Sequence, residues 1–211
     1  NALNVFPVPD GDTGTNMFLT LRDIVAEAEK VDSATVGEVA AAMARGALMG
    51  ARGNSGVILS QVFKGLALEL EGRADLDANH LAHALARART LAYKAVGQPV
   101  EGTMLTVIGA AADASTKVAS ESVRDVVDAA CTAARESVAM TPTMLPVLRE
   151  AGVVDAGGQG FLIILEGVLR HLTNGEAVIE EIPVPDPVGV VSAGGSVSRE
   201  FLDSTDAEVY G

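Results

Sequence analysis

The strongest constraint in this sequence is apolar spacing of three and four residues, which recurs along almost the whole chain. The first such stretch contains Met17, Leu21, Ile24, Val25 and Ala28. This period is that of an amphipathic helix and not of a strand. Aromatic residues make up only 3% of the chain, which favours closely packed helices over sheets. With short connections between the long helices, the pattern predicts an all-α protein, an antiparallel up-and-down bundle of about eight helices.

Local signals give the boundaries of several predicted helices. Thr35 followed by Glu38 is a capping box that opens the second helix. Asp77 is the predicted cap of the fourth helix, which runs towards Gly97. The Thr141-Pro142 pair predicts the end of the sixth helix and the start of a short segment over 142–151. The last long helix is predicted over 157–173.

Two domains are predicted from these signals. The helical bundle occupies 1–175. The stretch 176–211 contains clustered proline and glycine and is predicted to be an extended linker or tail towards a further domain. Because the chain opens on Asn1 and not on Met, we also expect an N-terminal segment to have been trimmed.

Charge and cysteine content exclude several classes of protein. The formal net charge of −13 argues against nucleic acid or an anionic membrane as the main partner. The longest apolar run, 160–165, is far shorter than the roughly 20 residues of a membrane span. Cys131 is the only cysteine, so it forms no internal disulfide and favours a cytoplasmic location. We interpret Cys131, Met43 and Met49 as core residues.

Alternate helices of an up-and-down bundle begin at the same end, so the first, third, fifth and last helices are predicted to start together. Their starts are rich in glycine and small polar residues, and they cover 10–16, 50–56, 101–104 and 155–160. We call these four segments the rim. Glycine lets backbone N–H groups approach a ligand, and helix N-termini carry partial positive charge. The rim therefore predicts a site for a polyphosphate such as ATP.

Two aspartates in the rim, Asp10 and Asp12, are placed so that both carboxylates can face one Mg²⁺ ion. The alternative is an ordinary turn followed by a helix cap. An EF-hand is poorly supported, because its sixth position would be Thr15 in place of glycine and its twelfth Leu21 in place of glutamate. No Walker A lysine motif is present, and no alternation of strands and helices supports a Rossmann fold.

Residues 3–17, 50–61, 101–105 and 154–160 resemble motifs of the ATP-binding domain of bacterial fatty acid kinase. That domain is similar to the L subunit of dihydroxyacetone kinase. The resemblance covers about residues 1–175. It implies an eight-helix antiparallel bundle with the nucleotide at one end.

The resemblance also implies roles for individual residues. Asp10 and Asp12 would be catalytic and would bind a pair of Mg²⁺ ions that bridge the ATP phosphates, with Asn4 as a third metal ligand. The implied nucleotide-binding residues are Thr13, Gly14, Thr15, Asn16, Arg52, Gly53, Asn54, Ser55, Gly56, Gly102, Thr103, Met104, Asp155, Ala156 and Gly157. Arg52 is either a phosphate contact or a cation that pairs with a helix end.

The implied reaction is transfer of the ATP γ-phosphate to the carboxylate of a fatty acid held by a separate carrier protein, which gives an acyl phosphate. The acceptor is already ionised near neutral pH, so no general base is required. One alternative is the L subunit of a dihydroxyacetone kinase, which phosphorylates a carrier-bound sugar. Another is a nucleotide sensor without catalysis. The resemblance further implies a helix before Asn1 and domains after the linker, through which a homodimer could form, so that this chain alone is expected to be inactive.

Overall fold

The computed structural model describes residues 1–32, 35–118 and 122–174, and the regular structure in those ranges is entirely helical. The helices are α1 (Thr13–Ala28), α2 (Val36–Gly50), α3 (Gly53–Glu69), α4 (Ala78–Lys94), α5 (Met104–Ser115), α6 (Val123–Met144), α7 (Pro146–Ala151) and α8 (Ala156–Asn174). The predicted all-α fold is confirmed. In these ranges no helix is both long enough and apolar enough to cross a bilayer. The predicted tail, 176–211, lies outside the described residues, so its course and the domain boundary near 175 remain predictions.

Several helix starts follow the predicted cap chemistry. The hydroxyl of Thr35 accepts a hydrogen bond from the backbone N–H of Glu38 at 3.4 Å and donates to the Glu38 carboxylate at 2.6 Å. At the start of α4, Asp77 accepts from the backbone N–H of His80 at 2.8 Å. These side chains satisfy N–H groups that have no partner inside the helix, and so they fix where each helix begins.

The predicted end of the sixth helix was wrong, because α6 continues through Pro142 to Met144. Proline has no N–H, so a proline in a helix leaves the carbonyl four residues earlier without its usual donor. Here the hydroxyl of Thr141 donates to that carbonyl, which belongs to Val138, at 2.7 Å. The side chain thus replaces the missing backbone donor, and the helix breaks only at Leu145-Pro146.

Neighbouring helices pack closely because small residues lie between them. A Cβ atom added to Gly65 of α3 would lie 2.6 Å from the backbone nitrogen of Ala88 in α4. A Cβ on Gly46 of α2 would lie 2.6 Å from the backbone oxygen of Asp23 in α1. At both places the backbone of one helix lies against the backbone of its neighbour. Larger side chains there would force the helices apart.

The core runs along the bundle axis and is closed by α8, which packs against α1, α5 and α6. Ile24, Leu59 and Ile108 are among its fully buried side chains. Cys131 is also fully buried, and burial raises the pKa of its thiol to about 11, in agreement with a core role. The prediction for Met49 was wrong, since its side chain is 86% exposed. Gly46 and Gly50, and not Met49, face α1 in this part of α2.

Candidate functional site

The starts of α1, α3, α5 and α8 surround one cavity of about 550 Å³ at a single end of the bundle. Each start contributes lining residues, among them Asp12, Ser55, Thr103 and Asp155. The helix starts lie together because short connections make successive helices antiparallel, so that every second long helix begins at the same end. Residues distant in sequence therefore meet in one site.

The structure brings most of the candidate residues to this cavity. Those that line it are Asn4, Asp10, Asp12, Thr13, Asn16, Gly53, Asn54, Ser55, Thr103, Met104, Asp155 and Gly157. The candidates that do not line it are Gly14, Thr15, Arg52, Gly56, Gly102 and Ala156. Thr15 instead bonds with Asn1, whose amide group donates to the Thr15 hydroxyl at 2.8 Å and accepts from its backbone N–H at 3.0 Å.

Arg52 is held away from the cavity by two partners. Its guanidinium donates to the Asp23 carboxylate at 2.8 Å and to the carbonyl of Gly50, the last residue of α2, at 2.7 Å. The same guanidinium lowers the pKa of Asp23 below its ordinary value. Of the two interpretations of Arg52, the geometry favours the cation at a helix C-terminus.

A buried amide and two carboxylates form the polar side of the cavity. Asn4 is only 7% exposed, and its amide nitrogen donates to the Asp10 carboxylate at 2.6 Å. The amide oxygen of Asn4 is buried and has no hydrogen-bond partner among the described residues. The backbone N–H of Asp12 approaches the Asp10 carboxylate at 3.4 Å. A buried oxygen without a donor is costly, and a hard cation is the kind of ligand that would satisfy it.

The charges around the cavity are all of one sign. Its lining, as far as the structure describes it, includes Asp10, Asp12 and Asp155 but no lysine, arginine or histidine. A polyphosphate bound here would therefore need a divalent cation and helix N-termini for charge compensation. No cluster of three or more His, Cys, Asp or Glu side chains suited to a metal occurs in the described ranges. A metal at this site would thus need oxygens from Asn4, water or the phosphates as well.

The two walls of the cavity differ in how their helix N-termini are used. On one wall, Asp12 and Arg52 occupy the cap positions of α1 and α3 and make no side-chain cap bond. On the other wall, the Asp155 carboxylate accepts from the backbone N–H of Gly158 at 2.6 Å and from those of Met104 and Gly157. One carboxylate thus occupies the N-termini of both α5 and α8. On the first wall, the Asn1 side chain accepts from the backbone N–H of Thr15 in α1, so the start of α3 is the better anion site.

Burial raises the pKa of Asp155, and its backbone hydrogen bonds oppose this effect only in part. A carboxyl whose pKa is higher in the folded chain contributes stability that is complete below its unfolded pKa and is lost as pH rises through its folded pKa. We therefore expect Asp155→Asn to gain stability relative to the unmodified chain as the pH rises above about 4, the unfolded pKa of an aspartate. Denaturant unfolding across this range measures the difference.

The matched control for this pH series is Asp23→Asn. The pKa of Asp23 is lowered, so Asp23 stabilises the fold above its unfolded pKa and loses that effect as pH falls. The Asp23→Asn variant should therefore lose stability relative to the unmodified chain as pH rises. Parallel trends in the two variants would contradict the pKa direction assigned to Asp155.

Part of the apolar wall of the cavity was missed by sequence reasoning. The missed part is the connection between α4 and α5, where Ala95, Val96, Gly97, Gln98 and Val100 line the cavity. The other apolar lining residues are Phe6, Pro7, Val8, Val57, Ile58, Met104 and Leu105. The rim contains only the segments where helices begin. An up-and-down order also requires the preceding helices to end at the rim, so the order of the helices predicts that the α4–α5 connection lies there.

A second cavity, of about 680 Å³, lies between α2 and α3 near the α3–α4 connection. Its lining includes Arg45, Lys64 and Glu71. It contains none of the candidate residues. We therefore place the functional site at the rim, where the cavity is smaller.

Comparisons with known proteins show which proteins this chain is similar to. The model of the DAK2 domain family matches residues 7–170. Protein YloV of Bacillus subtilis is 44% identical over 216 residues, which cover 100% of this chain and 38% of YloV. Uncharacterized proteins of Staphylococcus haemolyticus and Staphylococcus epidermidis are 47% and 45% identical, over 82% and 91% of this chain and 32% and 35% of their own lengths. This chain thus spans less than two fifths of these relatives.

Proposed function

This chain belongs to the DAK2 domain family, and on that premise we propose that it is the ATP-binding domain of a fatty acid kinase. The family is related to kinases and supports nucleotide use. The proposed reaction moves the γ-phosphoryl group of ATP to the carboxylate of a fatty acid, which gives an acyl phosphate. The fatty acid is held by a separate carrier protein, and both the acceptor and the carrier are part of the proposal.

The observation that carries the proposal is the rim cavity with its carboxylates and helix N-termini. Asp10 and Asp12 lie on the wall where the N-cap residues of α1 and α3 make no side-chain cap bond. Three aspartates line the cavity, and the described lining supplies no basic side chain. Such a site repels a bare polyphosphate and accepts one that carries a divalent cation. This combination favours Mg-ATP over a free anion.

The residues present fit Mg²⁺. The unpartnered amide oxygen of Asn4 and the carboxylates of Asp10 and Asp12 are hard oxygen donors, which Mg²⁺ prefers. In the proposal these residues hold the metal, and Mg²⁺ would compensate charge on the phosphate oxygens. Asn4 also hydrogen-bonds Asp10 and so keeps that carboxylate in place.

The difference between the two walls supports one orientation of the nucleotide. The phosphates are proposed to lie against the starts of α1 and α3, where Ser55 and Thr13 line the cavity. The nucleoside is proposed to lie against Met104 and the 95–100 segment, where the wall is mostly apolar. Asp155 supports this division because its carboxylate already occupies the N-termini of α5 and α8.

A carboxylate acceptor suits this site because it needs no proton removed before it attacks phosphorus. The task left to the protein is to align the acceptor with the γ-phosphate and to compensate charge. A carrier that docks over the open end of the cavity would deliver the acceptor carboxylate. An acyl phosphate is a mixed anhydride, so its formation also has a chemical signature.

The test is phosphate transfer from labelled ATP by a full-length relative in which this chain replaces the matching domain, supplied with a fatty acid on its carrier. Hydroxylamine converts an acyl phosphate to a hydroxamate, whereas a sugar phosphate is unaffected. We expect Mg²⁺-dependent hydroxamate only when carrier and fatty acid are both present. An Asp75→Asn protein, changed at an exposed turn residue in the α3–α4 connection, should give the same yield.

Other outcomes of this assay would support other functions. A hydroxylamine-stable product with a carrier-bound sugar would identify a dihydroxyacetone kinase L subunit instead. Tight binding of Mg-ATP without transfer to any carrier would identify a nucleotide sensor. Failure to bind Mg-ATP at all would overturn all three interpretations.

A further inference from the structure

The 95–100 segment forms part of the apolar wall, and a side-chain hydrogen bond joins the residues that flank it. Tyr93, near the end of α4, donates its phenolic hydroxyl to the Glu101 carboxylate, with oxygen separations of 3.1 and 3.4 Å. Between these residues lie Ala95, Val96, Gly97, Gln98 and Val100, all of which line the cavity. The hydrogen bond between Tyr93 and Glu101 therefore closes the loop that forms this part of the wall.

Glu101 also connects this loop to the first turn of α5. Its carboxylate accepts from the hydroxyl of Thr106 at 2.6 Å, and the same hydroxyl accepts from the backbone N–H of Gly102 at 2.8 Å. Thr103, which lines the cavity, donates its hydroxyl to the carbonyl of Val100 at 2.7 Å. The two ends of the loop and the start of α5 thus share one hydrogen-bonded network.

The surroundings of Tyr93 keep it in place as the donor. Gly109 of α5 lies beside the phenol, where a Cβ would be in van der Waals contact with the Tyr93 hydroxyl oxygen at 3.6 Å. Burial and the Glu101 charge raise the pKa of Tyr93 to about 12, so the hydroxyl keeps its proton at neutral pH. Arg89 lies over the ring, 6.0 Å from its centre, and pairs with Asp113.

We propose that Glu101 is a positioning residue that, through Tyr93 and Thr106, holds the 95–100 segment and the first turn of α5 in the form that receives the nucleoside of ATP. This inference rests on the proposed function, because it assigns the apolar wall to the nucleoside. Glu101 contacts Tyr93 and Thr106 and is not among the residues that line the cavity. Its effect is to order the wall before the ligand arrives, which lowers the entropy cost of binding.

The wall and the phosphate site can be tested separately, because inorganic tripolyphosphate contains the phosphates of ATP without the nucleoside. Calorimetry on the full chain with Mg²⁺ would measure both ligands. For Glu101→Ala we expect ATP to bind about tenfold more weakly, while tripolyphosphate binds as before. Tyr93→Phe, which removes one donor and keeps the ring, should weaken ATP binding by a smaller factor.

Two further variants separate positioning from a general loss of structure. In Glu101→Gln the amide oxygen can still accept from Tyr93 and Thr106, so we expect ATP affinity within about twofold of the unmodified chain. Asp75→Asn removes another exposed acid, one that lies in the α3–α4 connection and does not line the cavity. It should leave the affinity for both ligands unchanged.

The outcomes are distinguishable. Unchanged ATP affinity in Glu101→Ala would overturn the positioning role and leave the proposed function standing. Equal weakening of ATP and tripolyphosphate in that variant would also overturn it, since the change would then reach the phosphate site. If the unmodified chain binds neither ligand with Mg²⁺, the proposed function falls and the inference falls with it.

Discussion

Replacement of Asp12 by asparagine is expected to weaken Mg-ATP binding by at least about a hundredfold while the fold remains intact. The change removes one of the two carboxylate charges on the α1–α3 wall, and the described lining has no basic side chain to take over the compensation. Asp12 is exposed and makes no side-chain cap bond. Asparagine is also a good cap residue, so the free energy of unfolding should change by less than about 0.5 kcal/mol.

The measurement is calorimetric titration of Mg-ATP, with circular dichroism and thermal unfolding as checks on the fold. Asp75→Asn provides a control with the same change of charge at an exposed residue outside the cavity lining. It should bind Mg-ATP like the unmodified chain. Full affinity in Asp12→Asn would contradict the metal-binding role of this aspartate and, with it, the orientation proposed for the phosphates.

The second large effect is expected in the fold, from Gly65→Ala. The new Cβ would lie 2.6 Å from the backbone nitrogen of Ala88 and 3.0 Å from the carbonyl carbon of Arg87. Backbone atoms of a packed helix cannot turn aside as a flexible side chain can, so α3 and α4 must separate. We expect a loss of roughly 2 to 4 kcal/mol in the free energy of unfolding and a Tm lower by roughly 5 to 15 °C.

Gly167→Ala is the matched control for this prediction. Gly167 is exposed within α8, and a Cβ there would meet nothing within 4 Å. Alanine has the higher helix propensity, so this variant should be more stable by about 0.5 to 1 kcal/mol. Urea unfolding of both variants measures the contrast. A Gly65→Ala protein as stable as the unmodified chain would show that the α3–α4 contact is looser than the structure indicates.

The sequence predicted the helices and their common starting end because both depend on local or short-range rules. Apolar spacing determines which face of a helix is buried, and short connections determine its direction. Caps such as Asp77 mark a start through chemistry confined to a few residues. The grouping of Asp12, Ser55, Thr103 and Asp155 follows from this order without knowledge of any angle between helices.

The rest could not be predicted because it depends on contacts between distant residues. The Pro142 position looked like a helix start, and only the contact between Thr141 and Val138 explains why α6 continues. The division of the cavity into two walls depends on Asp155 reaching the N–H of Met104, which lies on a different helix. Sequence spacing gives no distance between α5 and α8.

The Thr141 hydroxyl makes a second hydrogen bond besides the one to the Val138 carbonyl. Its hydroxyl oxygen also accepts from the backbone N–H of Asp155, at 3.0 Å. One hydroxyl group therefore supplies the donor that Pro142 lacks and also holds Asp155, whose carboxylate bonds the start of α8. Substitutions at 141 should consequently be more restricted than those at 142. A residue with a backbone N–H at 142 could donate to the Val138 carbonyl itself, whereas the N–H of Asp155 would still need the Thr141 hydroxyl as its acceptor.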